Sequence, residues 1–269
     1  MRIDKVLLSY PKIDVHTHIG IGSAPVEPGY AERYLEDSRR VGIGKIMISR
    51  PFTGSASTVA GPEEIMRAND MVMELVARHP GVVYGYAYLH PGHVEWCRRE
   101  LARCMACRGM VGIKLCNQYL YDDPVVIELV RAASVRGAVV LLHQGKSIET
   151  SVRTQQPLIS DGTHIARLAA AVPQAKLICG HIGGGGDWEW CAKALAGSPS
   201  VFVDTSGSVV DAGMIELASR EVGTSRLLFA TDMSVDQGIG KMLGAKIPDL
   251  DKRAIFSGNA ARLFGEVLS

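Results

Sequence analysis

The sequence predicts an α/β protein, a (β/α)8 TIM barrel forming a single domain over residues 1–269. Three observations predict it. Eight short apolar runs rich in β-branched residues recur along the whole chain. The segments between them carry helix-period patterns. The polar residues that interrupt the runs fall mainly at their C-terminal ends. A length of 269 residues suits one such barrel, with an open doubly wound sheet as the alternative.

The eight runs are KIDVHTH (12–18), KIMISR (45–50), VVYGYAYLH (82–90), MVGIKL (110–115), AVVLLH (138–143), AKLICGH (175–181), VFVDTS (201–206) and RLLFATD (226–232). Their spacing leaves room for a strand, a helix and two loops per unit. In PEEIMRANDMVMELVARHPG, residues Ile65, Met66, Val72, Met73, Leu75 and Val76 fall near one stripe, and HPG ends the helix. In DDPVVIELVRAASVRG, Asp123 is the expected N-cap, Pro124 the first helical residue and Gly137 the stop. GTHIARLAAAVP and AGMIELASREVG start and stop in the same way. DLDKRAIFSGNAARLFGEV reads as helices that close the barrel after the eighth strand.

Composition narrows the function classes. Apolar residues make up 47% and charged residues 21%, an ordinary well-cored balance. A net charge of +1 offers no footprint for nucleic acid or an anionic membrane. No run approaches the roughly 18 apolar residues of a spanning helix, and the N-terminus MRIDKVLLSYPK has no signal-peptide core. The six cysteines form no dense framework. Cys104 and Cys107 make a CxxC with no partner pair elsewhere, so reduced thiols in a cytoplasmic protein are expected.

The polar strand ends carry the chemistry. Residues two apart on a strand share a face, so His16 and His18 point the same way, with Asp14 below them. The other strand-end polar residues are Arg50, His90, Lys114, His143, His181 and Asp232. A closed barrel gathers such ends at one rim, where active sites are built. By the same parity Leu141 and Val139 lie below His143, Cys179 and Leu177 below His181, and Ala230 and Leu228 below Asp232. Either face of the third strand could be the inner one. His79, His93 and His164, on helices or loops, read as ordinary polar residues.

DVHTHIG, VGIKL, VVLLHQG, ICGHIGGGGDWEW, VFVDTSG, LLFATDMS and SGNAARLF together resemble the amidohydrolase superfamily. The similarity is to its branch of small metal-dependent hydrolases, which also contains nonoxidative decarboxylases, and it covers essentially the whole chain in order. It implies that His16, His18 and His143 bind a divalent metal together with Asp232, and that His181 is the catalytic histidine. Imidazoles with a carboxylate suit one zinc ion first, with manganese, iron or cobalt also fitting. A water bound to such an ion can ionise near neutral pH. Asp232 would orient that water, and His181 would assist its deprotonation or polarise the substrate.

The expected activity is hydrolysis of a small-molecule amide, ester or lactone by a metal-activated water. Decarboxylation of a small carboxylic acid on the same scaffold is the alternative. A barrel nuclease would need a glutamate on strand four, which VGIKL lacks. A non-catalytic scaffold would bury four histidines and a carboxylate without compensation. Lys114 is expected to contact a substrate carboxylate or oxyanion rather than to carry a carbamate bridging two metals. Cys116 stands where that branch often has histidine. Arg50 and Arg153 are expected to clamp an anionic substrate. The glycines of GHIGGGGDWEWC match no phosphate-binding pattern and allow a close turn, with Asp187 capping the next helix. The apolar helix faces permit a homodimer.

Overall fold

A computed structural model of the chain describes residues 8–53, 56–145, 154, 158–182 and 187–268. Eight strands form one parallel sheet in sequential order. They are β1 (Lys12–Thr17), β2 (Ile43–Ile48), β3 (Val83–Tyr88), β4 (Met110–Leu115), β5 (Val139–His143), β6 (Lys176–Gly180), β7 (Val201–Asp204) and β8 (Leu227–Leu228). Each is followed by a helix: α1 (Tyr30–Arg40), α2 (Pro62–Arg78), α3 (Val94–Met105), α4 (Pro124–Val135), α5 (Gly162–Ala171), α6 (Trp188–Leu195), α7 (Met214–Ala218) and α8 (Val235–Gly244). Two backbone hydrogen bonds join the eighth unit to the first and close the ring. Val15 N donates to Phe229 O at 3.1 Å, and Asp232 N donates to His16 O at 2.8 Å. The (β/α)8 barrel is therefore present, and the C-terminal helices Asp249–Arg253 and Asn259–Phe264 follow it.

The local signals act as expected at α4, where the Asp123 side chain accepts from Val125 N at 2.9 Å and Pro124 opens the helix. Gly137 stops it in the left-handed region at φ 69°. On α2, Ile65, Val72, Leu75 and Val76 are buried, but Met66 turns to the surface. Asp187 stands at the start of α6 without capping it through its side chain. The glycines at 183–186 lie outside the described residues. All six cysteines are free thiols.

Two apolar layers fill the fold. The larger lies between sheet and helices. The smaller draws Met47, Tyr84, Tyr86, Val111, Leu141, Ile178 and Ala230 from alternate strand positions, and Leu263 and Phe264 from the C-terminal helix. It is the barrel interior. The third strand thus turns its tyrosines inward. Two departures from simple alternation decide where the site residues point. In β1 the three-residue step from Asp14 to Thr17 opposes the two-residue step from Ile46 to Ile48, a bulge that reverses the parity. Ile13 and Val15 belong to the inner layer below it, so Asp14 does not share the face of His16 and His18. A second irregularity pairs Gly85 with Met110 but Tyr86 with Gly112, and it lets Lys114 point inward after Val111.

On β6 the interior residue is Ile178, while Leu177 and Cys179 belong to the outer layer. The expectation that these two lie beneath His181 is corrected. His181 adopts φ 65°, and this left-handed residue swings its ring inward against the strand's alternation.

Gly112 marks the tightest strand contact. A Cβ there would stand 1.9 Å from Val139 O, a backbone atom of the neighbouring strand that cannot move aside alone. Gly112→Ala is expected to destabilise the barrel by about 1–3 kcal/mol. The check is a urea titration: a lower midpoint at unchanged slope is expected, and a wild-type midpoint contradicts the tight contact.

Candidate metal centre

Closure places His16, His18 and Asp232 together. One ligand atom from each lies within 4.8 Å of the others. His18 Nε2 is 3.2 Å and His16 Nε2 is 3.9 Å from Asp232 Oδ1. The two rings are held from behind. His16 Nδ1 donates to Asp204 Oδ2 at 2.8 Å, and His18 Nδ1 donates to the Ser49 carbonyl at 3.0 Å. With both Nδ1 protons engaged, each Nε2 presents a lone pair toward the carboxylate. Three electron-pair donors facing one another are stable around a cation, so the residues fit a divalent metal.

His143 and His181 complete the cluster on the other side. His181 Nε2 is 3.0 Å from His143 Nδ1, and His181 Nδ1 is 3.3 Å from Asp232 Oδ2. His143 is not within the group of three ligand atoms; it meets His181 instead. Gly180 allows this crowding, because a Cβ there would lie 3.1 Å from His16 Cε1. Lys114, fully buried, reaches His16 Nε2 at 2.9 Å.

Burial dominates the electrostatics. It pushes His16 down to about 4 and His181 down to about 3, and lowers His143 well below the usual value. These imidazoles are neutral at pH near 7, the form that donates a lone pair. For Asp232 burial works upward, but the adjoining His181, His18 and His16 outweigh it and hold the carboxyl ionised. Asp14, buried and away from this cluster, is pushed up to about 8. It accepts from Thr231 N and Oγ1 and from His16 N.

His18, His143, His181 and Asp232 line a cavity of about 210 Å3, together with Ile21, Pro51, Phe52, Met233, Cys116 and Asn117. A larger cavity of about 730 Å3 lies at the opposite end of the barrel, by Val83, Gly109 and Val267, away from this chemistry. Arg50 does not reach the metal-side cavity. Its Nε donates to Gly22 O at 2.8 Å, and its Nη1 and Nη2 donate to Ile19 O and Ala24 O. It fastens the loop after β1, and the expected substrate clamp is corrected accordingly. His90, also at a strand end, is occupied by Thr58 O and Gly92 N. Arg153 lies outside the described residues.

The sequence reading missed Asp204. It ends β7 as Asp232 follows β8, and the DTS of VFVDTS was the available signal: a polar end on the one run for which no strand-end polar residue was singled out. Ser206 and Ser49, which steady the rings, carry no signal that distinguishes them from other loop serines.

A closed barrel with two imidazoles and a carboxylate meeting at its C-terminal rim defines a (β/α)8 protein with a candidate metal site. A family model described as amidohydrolase matches residues 13–265, and the chain belongs to that family. A curated relative, gamma-resorcylate decarboxylase from Polaromonas sp. (strain JS666 / ATCC BAA-500), is 26% identical and aligns over 78% of each chain. Among solved structures, 2,6-dihydroxybenzoate decarboxylase from Rhizobium has a TM-score of 0.73 at 19% identity, covering 95% of this chain and 98% of that one. A dihydroxybenzoic acid decarboxylase from Polaromonas sp. JS666, with bound manganese and the inhibitor 2-nitroresorcinol, has a TM-score of 0.71 at 20% identity, covering 95% and 97%. These relatives are decarboxylases, so the expectation of a hydrolase acting through metal-activated water is overturned. A divalent metal is supported, and zinc in particular is not. No helix among the described residues is long and apolar enough to cross a membrane.

The depressed histidines give the metal-free protein a pH signature. The unfolded chain protonates His16, His143 and His181 as pH falls through about 6.5, whereas the folded chain resists down to about 4 at His16. The unfolded state then binds more protons, so stability falls as pH drops from about 6.5 to 4. Asp14 has the opposite sign, being protonated in the fold up to about 8, but it is one group against three. Thermal melts of chelator-treated protein are expected to give a lower Tm at about pH 5 than at about pH 7. An equal or higher Tm at the lower pH contradicts burial of neutral rings.

Proposed function

We propose that this chain is a metal-dependent decarboxylase that removes carbon dioxide, without oxidation, from a small aromatic carboxylic acid. The observation that carries the reading is the form of the cavity. At about 210 Å3 it is of the size of a single substituted ring, with histidines and a carboxylate on its polar side. Its apolar lining includes Phe52, whose ring packs against Tyr88 with centroids 5.6 Å apart and planes tilted by 42°, and offers a planar substrate an aromatic contact. The decarboxylase relative supports the reaction.

His16, His18 and Asp232 would hold the ion, with His143 as a fourth donor lining the same cavity. Manganese in a solved relative supports that ion ahead of the zinc read from the sequence. When bound, the ion supplies positive charge against which an anionic substrate is oriented.

The remaining chemistry belongs to the chain's own groups. Decarboxylation adds a proton at the ring carbon that bears the carboxylate. The carbon–carbon bond then breaks, its electron pair stays on the ring, and carbon dioxide leaves. His181, with Nδ1 beside Asp232 Oδ2 at 3.3 Å, and Asp232 together form the path by which that proton reaches the carbon. Lys114, buried outside the cavity lining, bears on the site through His16, whose Nε2 it reaches at 2.9 Å.

Manganese-loaded protein incubated with hydroxybenzoates, including 2,6-dihydroxybenzoate, in deuterated water tests the reading. Release of carbon dioxide and one deuterium at the vacated ring carbon are expected, as is loss of turnover with a chelator and recovery with added manganese. His181→Asn is expected to lower kcat by about 10²–10⁴-fold. A product that incorporates water oxygen at the cleaved bond, or turnover unaffected by the chelator, rules the proposal out.

A further inference from the structure

Asp204 does not line the cavity, yet its carboxylate receives four hydrogen bonds at the end of β7. Oδ2 accepts from His16 Nδ1 at 2.8 Å. Oδ1 accepts from His181 N at 3.0 Å, from Ser206 N at 2.9 Å and from Ser206 Oγ at 2.6 Å. The group is fully buried, and His16 and Ser206 hold it ionised against the upward effect of burial.

An ionised carboxylate only accepts, and this fixes the direction of every bond around it. His16 must carry its proton on Nδ1, which leaves Nε2 as a lone pair, and Lys114 Nζ donates to that same Nε2 at 2.9 Å. The Ser206 hydroxyl gives its one proton to Asp204. Its oxygen, 3.2 Å from His181 Nδ1, is then an acceptor, so His181 also carries its proton on Nδ1. His181 Nε2 is left to accept from His143 Nδ1 at 3.0 Å.

We propose that Asp204 is a positioning residue that decides which ring nitrogen carries the proton, directly in His16 and through Ser206 in His181. It readies Nε2 of His16 for the ion and aims the N–H of His181 at Asp232. The proposal rests on His16 being a ligand, as in the reading above, and not on the reaction catalysed.

Asp204→Asn is the informative substitution. Two backbone N–H groups, of His181 and Ser206, require an acceptor at the Oδ1 position, so the amide NH2 must take the Oδ2 position and donate to His16 Nδ1. The ring is then driven to carry its proton on Nε2, the atom needed by the ion, and Lys114 Nζ, which donates there in the wild type, must turn away. Long-range 1H–15N spectra of histidine-labelled, metal-free protein, with His16 assigned by comparison with His16→Gln, read this directly.

The wild type is expected to show His16 protonated at Nδ1, and Asp204→Asn at Nε2. The manganese dissociation constant, measured by chelator competition, is expected to rise about 10–100-fold in the variant. Ser206→Ala is expected to leave His16 on Nδ1 and to weaken, without abolishing, the Nδ1 preference of His181, whose N–H still faces Asp232 Oδ2. Wild-type His16 protonated at Nε2, or an Asp204→Asn protein with the wild-type tautomer and affinity, overturns the proposal. Should Asp204→Asn fail to fold, the wild-type and Ser206→Ala spectra decide it. A wild type that takes up no divalent ion refutes the ligand reading instead, and the metal-free spectra still test Asp204.

Discussion

The hydrogen bond from Asp232 N to His16 O is the contact on which the site depends. It joins the segment after the last strand to the first strand, and in doing so sets two candidate metal ligands, His16 and Asp232, side by side. Val15 N to Phe229 O repeats the closure one step below. A ring closed in this way has no free sheet edge, so its register cannot slip without breaking ladders all around it. Side chains from opposite ends of the chain thereby hold a common geometry. Loop length matters little to this precision, because the strands and not the loops fix the distances.

Closure alone does not aim the groups. A bulge in β1 turns His16 and His18 inward above Ile13 and Val15, and an irregular step between β3 and β4 does the same for Lys114. His181 and Asp232 sit in left-handed conformations at φ 65° and 45°, each costing about 1–3 kcal/mol for a residue with a side chain. The surrounding bonds hold them there: Asp204 on His181 N, and His16 O on the Asp232 amide. Strain and buried charge thus coincide at the rim, and the rest of the barrel supplies the stability that supports them.

Much of this was legible in the sequence because it follows from period and position. All eight apolar runs contain strands in the predicted order, and the histidines at 16, 18 and 181 meet Asp232 at one rim, with His143 against His181. What could not be read was anything that breaks the period. Alternation put Asp14 with the histidines, but the bulge separates them. It put Cys179 beneath His181, but a positive φ reverses that ring. Arg50 read as a free cation because the carbonyls of Ile19, Gly22 and Ala24 that occupy it belong to a loop with no sequence signature. The reaction was illegible for another reason: hydrolysis and decarboxylation use the same ligand types, and the choice between them lies in the cavity walls and in what reaches the substrate carbon.

The central claim is that His16, His18 and Asp232 grip one divalent ion. Metal analysis of protein loaded with manganese and freed of excess by gel filtration tests it most directly, comparing the wild type with His18→Ala and Asp232→Ala. The account predicts one manganese ion per wild-type chain and less than about a tenth of that in either variant. Two ions per wild-type chain, or a variant that keeps its full complement, would contradict it.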